Sequence, residues 1–139
     1  MSPMESLLQD IFPGQPLDSR ADLIALSRGG ISMKEVHRLL AALSLTLREI
    51  SRILPVSERQ LNRYRDDDTL RKDLSSHLIQ LVELFEHGYA VFGKDKFDRW
   101  VRTENRAVDN NRPIDLLDTP IGIELIGDIV GRVAHGVYS

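Results

Sequence analysis

The residues able to do chemistry in this 139-residue chain are four histidines, a run of three aspartates, one tryptophan among arginines, and an arginine-rich polar stretch. His37, His77, His87 and His135 stand outside any HExxH spacing or carboxylate register, so they form neither a hydrolytic metal site nor an acid–base pair. No glycine-rich loop is arranged to cradle phosphates, and no serine lies in a nucleophile elbow. Cysteine is absent, which removes disulfides, thiolate nucleophiles and Cys-ligated zinc and suits a reducing cytoplasm. Asp66-Asp67-Asp68 lacks calcium-loop spacing, and consecutive carboxylates on a turn diverge, so capping and solvation are their expected roles. Trp100, beside Arg99 and Arg102, has a face on which a base can stack, but at helical spacing from Phe97 it reads as core. The sequence predicts no catalysis, no cofactor and no metal. Its chemistry is recognition.

The recognition signal lies between Thr46 and Arg65, whose layout is that of a helix-turn-helix. Small Ser51 suits a close helix crossing, Val56 plugs the turn, Ser57 caps the second helix, and Leu61 anchors it four residues on. This spacing turns Ser57, Glu58, Arg59, Asn62 and Arg63 to solvent. Arg59 and Arg63 match the bidentate donor pattern for guanine, Asn62 that for adenine, and Arg48, Arg52 and Arg65 suit phosphates. Pro55 stands where glycine is usual, which predicts a turn without a left-handed residue. Two packed helices with a merely solvated charged face remain the competing reading.

The elements that must position these residues read as all-α, because apolar stripes recur at helical spacing and no stretch alternates like a strand. Helices are expected at Met4–Ile11, from an Asp18 or Ser19 cap to Gly29-Gly30, and from Ser32 with Glu35 completing a capping box. Others run from Thr46 to Pro55 and from Ser57. A long central helix is expected from a Thr69 cap to Phe92, with Leu70, Leu74, Leu78, Leu81, Phe85, Tyr89 and Phe92 on one stripe. A short helix over Asp95–Thr103, polar turns over 104–113, and a last helix from Pro120 to His135 complete the set. Gly122, Gly127 and Gly131 each lower that last helix's stability by about 1 kcal/mol relative to Ala, which predicts a close approach by another chain segment, a second copy or a partner.

Charge divides the chain. The net −3 resolves into −3 over residues 1–19, +5 over 20–65 and −5 over 66–139. A basic block inside an acidic protein allows a nucleic-acid contact there and argues against a general polyanion binder. The expected division falls at Asp66–Thr69, giving residues 1–68, with the helix-turn-helix at about 46–65, and residues 69–139. No signal-like N-terminus or apolar run of about 20 residues is present, so a soluble, cytoplasmic protein without membrane contact is expected. The chain ends His135-Gly136-Val137-Tyr138-Ser139, placing an aromatic and a terminal carboxylate just past a glycine stop. Such a tail fits a partner's pocket or packs back on its own core, and composition leaves both open.

From Ile31 to Ser139 the chain resembles the Xre/MbcA/ParS antitoxins of RES–Xre toxin–antitoxin pairs. The resemblance rests on a helix-turn-helix followed by Val91-Phe92-Gly93, Trp100, Asn105, Pro113 with Leu116-Leu117, Thr119 with Gly122, and the terminal HGVYS. It implies a helical C-terminal domain that binds and neutralises an NAD-consuming RES-domain toxin and mediates homodimerisation. It also implies that His135, Gly136, Val137, Tyr138 and Ser139 reach the toxin's active-site cleft. Operator DNA is the second implied partner, although Asp66–Asp68 replace the denser arginine cluster often found after the reading helix. A stand-alone helix-turn-helix regulator is the alternative, and a purely structural adaptor a more distant one. The first thirty residues match no expected motif and would complete the core or add a dimer contact.

Overall fold

The computed structural model describes residues 3–136, with side chains from Leu7 onward, and contains eight α-helices and no strands among them. In chain order these are α1 (Pro3–Ile11), α2 (Arg20–Gly29), α3 (Met33–Leu43), α4 (Leu47–Ile53), α5 (Glu58–Asn62), α6 (Lys72–Phe92), α7 (Lys94–Trp100) and α8 (Pro120–Ala134). Two 3₁₀ turns, Arg106–Val108 and Pro113–Leu116, lie between α7 and α8. No described helix is long and apolar enough to cross a membrane.

Helix starts follow the capping chemistry. Ser19, Ser32, Thr46 and Ser57 each accept the amide of the residue three on, and that residue's side chain returns to the cap's own N–H. Each box satisfies two otherwise orphaned donors at the start of a helix. Ser19, not Asp18, is therefore the cap of α2.

Helix α6 is the central element, with α1, α2, α7 and α8 packed around it. Its buried set extends beyond the predicted stripe to Ile79, Val82 and Leu84, because it is covered on several sides. The predicted Thr69 cap is wrong: Arg71 occupies that position, without a side-chain cap bond. Residues 69–70 instead pair with 31–32, where Thr69 opposes Ser32 and the Leu70 amide donates to the Ile31 carbonyl at 2.8 Å. The backbone committed to that bridge delays the helix to Lys72. Ile11 and Phe12 are fully buried, and α1 packs on α6 and α3, so the N-terminal segment completes the core.

A ring cluster joins α6 to α7. Phe97 lies 5.3 Å from Phe85 and 5.6 Å from Trp100, and Trp100 stacks on Phe92 at 5.2 Å. Trp100 is thus a core-edge residue, as its spacing from Phe97 predicts. The α6–α7 approach depends on Gly88, where a Cβ would fall 2.3 Å from the Phe97 ring. Helix α7 ends at Trp100 rather than Thr103.

Of the three glycines in α8, Gly122 meets the predicted close approach: a Cβ there would lie 1.6 Å from the Leu116 carbonyl oxygen. Within the chain nothing comes as close to Gly127 or Gly131, whose Cβ atoms would stand at ordinary contact, 3.7 Å from Leu84 and 4.0 Å from His87. The turn before α8 is also pinned by buried His77, whose Nε2 lies 2.8 Å from the Leu117 carbonyl oxygen.

Candidate nucleic-acid and partner interfaces

The helix-turn-helix forms around Ile50, Ile53, Leu54, Val56 and Leu61, all buried. Preceding a proline, Leu54 is extended at φ −94°, ψ 147°, and the Val56 amide donates to the Leu54 carbonyl at 2.7 Å. This tight three-residue turn around Pro55 replaces the glycine geometry without any left-handed residue.

Opposite that core, Arg48, Arg52, Arg59, Asn62, Arg63 and Arg65 are exposed. Helix α5 is short, so Arg63 is its C-cap, still right-handed at φ −81°, and Arg65 lies beyond it. The Ser57 hydroxyl is committed to Gln60, accepting its amide at 3.1 Å and donating to its Oε1 at 3.3 Å. Arg59, Asn62 and Arg63, by contrast, have no such internal bond among the described residues.

This face gathers five arginines, although exposed cations without an ion pair, such as Lys72, Lys96, Arg99, Arg106 and Arg132, also lie elsewhere on the described surface. Arg48, Arg52, Arg59, Arg63 and Arg65 make no ion pair among the described residues, whereas Arg71, Lys94, Arg102 and Arg112 are paired with Asp73, Asp98, Glu49 and Asp115. Unpaired surface arginines need no internal partner broken before they meet phosphate. The three aspartates that follow have a backbone role: the carbonyls of Asp66 and Asp68 accept the amides of Lys34 at 3.0 Å and Met33 at 2.8 Å. The Asp68 carboxylate accepts the Arg65 amide at 2.8 Å. The run thereby docks onto the start of α3, and no metal-holding group of acids or histidines occurs among the described residues.

At the other end of the molecule, the Thr119 hydroxyl accepts the Gly122 amide and Pro120 begins α8, which runs to Ala134. His135 and Gly136 continue outward, both exposed, with Gly136 left-handed at φ 69°. Val137, Tyr138 and Ser139, the rest of the expected partner-binding tail, lie outside the described residues. The outer side of α8 leaves Ile121 79% and Leu125 41% exposed.

Two features escaped sequence reasoning. Arg102 forks onto Glu49 across 53 positions, for which no local pattern gives a signal. Glu86 is 2% exposed under α1, with its Oε1 lacking a hydrogen-bond partner. Burial, reinforced by the nearby Glu83 charge and opposed by the Leu8 amide, pushes its carboxyl up to about 8. An acid inside the apolar arc of a central helix was the available clue.

A helix-turn-helix with exposed arginines is joined to a helical domain whose last helix runs into exposed His135 and Gly136, an arrangement with two candidate interfaces. Comparison with known families makes the class specific. The family model for the antitoxin Xre-like helix-turn-helix domain matches residues 22–83, and that for the antitoxin Xre/MbcA/ParS C-terminal toxin-binding domain matches residues 87–136. The chain belongs to the Xre/MbcA/ParS antitoxin family. Among curated relatives, an Antitoxin Xre of Yersinia enterocolitica is 26% identical over 129 residues, covering 91% of this chain and 87% of that protein. An Antitoxin Xre of Photorhabdus laumondii is 25% identical with the same coverage.

Proposed function

We propose that this antitoxin neutralises a RES-domain, NAD-degrading toxin and represses its own promoter. Residues 69–139 carry the toxin interface and residues 1–68 the DNA interface, and the protein acts in the cytoplasm without catalysis of its own. The observation that carries the toxin reading is the run of α8 into exposed His135 and Gly136 at the edge of the toxin-binding domain. Inhibition is steric: His135 to Ser139 occupy the toxin's cleft and keep its substrate out. Exposed Ile121 and Leu125 supply apolar surface for a homodimer.

The DNA reading rests on the unpaired arginines. Arg59, Asn62 and Arg63 meet base edges, Arg48 and Arg65 hold phosphates, and Ser57 keeps α5 in register. Co-expression with the adjacent gene product, with NAD measured in cells, tests the toxin half. Deleting Val137–Ser139 should restore NAD loss while leaving the complex assembled, and full protection by the truncated protein would refute the plug. Gel shifts with the DNA upstream of its own reading frame test the other half, with Arg59→Ala and Arg63→Ala expected to weaken binding.

A further inference from the structure

Arg102, just beyond α7 in the toxin-binding domain, makes four hydrogen bonds. Its Nε and Nη2 donate to the two carboxylate oxygens of Glu49 at 2.9 and 3.0 Å, Nη2 also to the Ser44 carbonyl at 2.8 Å, and Nη1 to the Asp98 carbonyl at 2.8 Å. A guanidinium has five N–H groups, so little capacity is left for an outside ligand. What it grips is the joint between α3 and α4. Ser44 sits there in the left-handed conformation, φ 53°, and its hydroxyl also accepts from Lys94 Nζ at 2.8 Å. Glu49 Oε1 also accepts the Thr46 amide, closing the capping box that starts α4.

Two cations from the toxin-binding domain thus hold the joint that leads into α4, the first helix of the helix-turn-helix. The second 3₁₀ turn packs on α4 from the same side. The capping box needs only an acceptor at Glu49, and the Glu49–Arg102 pair is only partly buried, so neither helix formation nor the apolar core requires the fork. A bidentate arginine–carboxylate pair instead restricts orientation.

We propose that Arg102 is a positioning residue for DNA recognition: through Glu49 and Ser44 it sets the angle at which α4 and α5 are presented by the toxin-binding domain. This rests on the DNA-binding half of the reading above. The test is fluorescence anisotropy of the full chain with the DNA upstream of its own reading frame, titrated across salt concentrations. Arg102→Ala removes the fork, and Glu49→Gln keeps the capping acceptor while removing the ion pair.

Each variant should bind about tenfold more weakly, the equivalent of one good contact, with the slope of log affinity against log salt unchanged. Capture of the adjacent gene product should persist. Glu49→Gln is the decisive variant even if Arg102→Ala folds poorly, because loss of a negative charge near a polyanion would by charge alone tighten binding. Unchanged or tighter binding by Glu49→Gln overturns the proposal, as does a shallower salt slope for Arg102→Ala, which would make Arg102 a phosphate contact. If the parent protein shows no salt-sensitive binding, the DNA reading itself fails and this inference falls with it. Parent binding with undiminished variants rejects the positioning role alone.

Discussion

Replacing Glu86 with Gln should make the protein more stable in mildly alkaline buffer and less sensitive to pH. In the folded chain this carboxyl is held up to about 8 from its usual 4.5, by burial first and the Glu83 charge second, against the pull of the Leu8 amide. An unfolded chain loses that proton near 4.5. Folding is therefore fully supported below that pH, and stability declines as pH rises through the interval between 4.5 and 8, levelling off above it. At about 1.4 kcal/mol per pH unit, the penalty approaches roughly 3 kcal/mol at pH 7 and roughly 5 at pH 9. Both are upper bounds, because relaxation and water entry under α1 lower the cost of a buried charge. Glutamine keeps an acceptor for Leu8 and carries no titrating proton, although its amide donors add about 1–3 kcal/mol if left unpaired. Urea unfolding followed by circular dichroism at pH 5, 6, 7, 8 and 9 measures the effect. The difference between parent and Glu86→Gln isolates Glu86, because every other group is common to the two proteins. Parallel stability curves for the two proteins would refute the reasoning.

The α8 glycines should separate in a thermal melt: Gly122→Ala drives a methyl into the Leu116 carbonyl and should cost at least about 3 kcal/mol, whereas Gly127→Ala should stabilise by up to about 1. Gly88→Ala should be destabilising by about 1–3 kcal/mol, with altered tryptophan fluorescence, because the Phe97 ring must move within the stack that holds Trp100. The double variant Ile121→Asp, Leu125→Asp should convert a dimer to a monomer by light scattering, with little change in melting temperature since both side chains are exposed. A dimer that persists would remove that face of α8 from the interface.

What was legible in the sequence was short-range. Cap and box spacings such as Ser32 with Glu35 and Thr46 with Glu49 act within one turn, so the residue pattern contains the whole interaction. The exposed face of α4 and α5 was legible for the same reason, because Ile50, Ile53, Val56 and Leu61 set which side is buried. Errors arose where a distant segment competed. Thr69 has a good capping side chain, yet its backbone is taken by the bridge to Ser32, and the cap falls later, at Arg71, with the helix starting at Lys72. Gly127 and Gly131 carried the same propensity signal as Gly122, but the path of the chain through Leu116 makes only Gly122 sterically required by the chain itself. The Arg102–Glu49 fork had no local trace at all.

That fork also refines what segment charges mean for DNA binding. Glu49 belongs to the basic block by position but is neutralised by Arg102 from the acidic half, while Arg20 of the block pairs with Glu83 of that half. The two cross-pairs exchange one charge each way, so the +5 of residues 20–65 survives folding, but it is concentrated differently. Arg48, Arg52, Arg59, Arg63 and Arg65 stay unpaired around α4 and α5, opposed locally by Glu58 and Asp66–Asp68. If all five meet phosphate, a protomer displaces about five counterions, for a salt slope of roughly −4 to −5 per protomer; if Arg59, Arg63 or both read bases instead, the slope is closer to −3. The same anisotropy titration measures it. A slope per protomer clearly steeper than −5 would mean that the duplex extends past these helices toward Arg28, Lys34 or Arg38, and the α4–α5 face would then be only part of the interface.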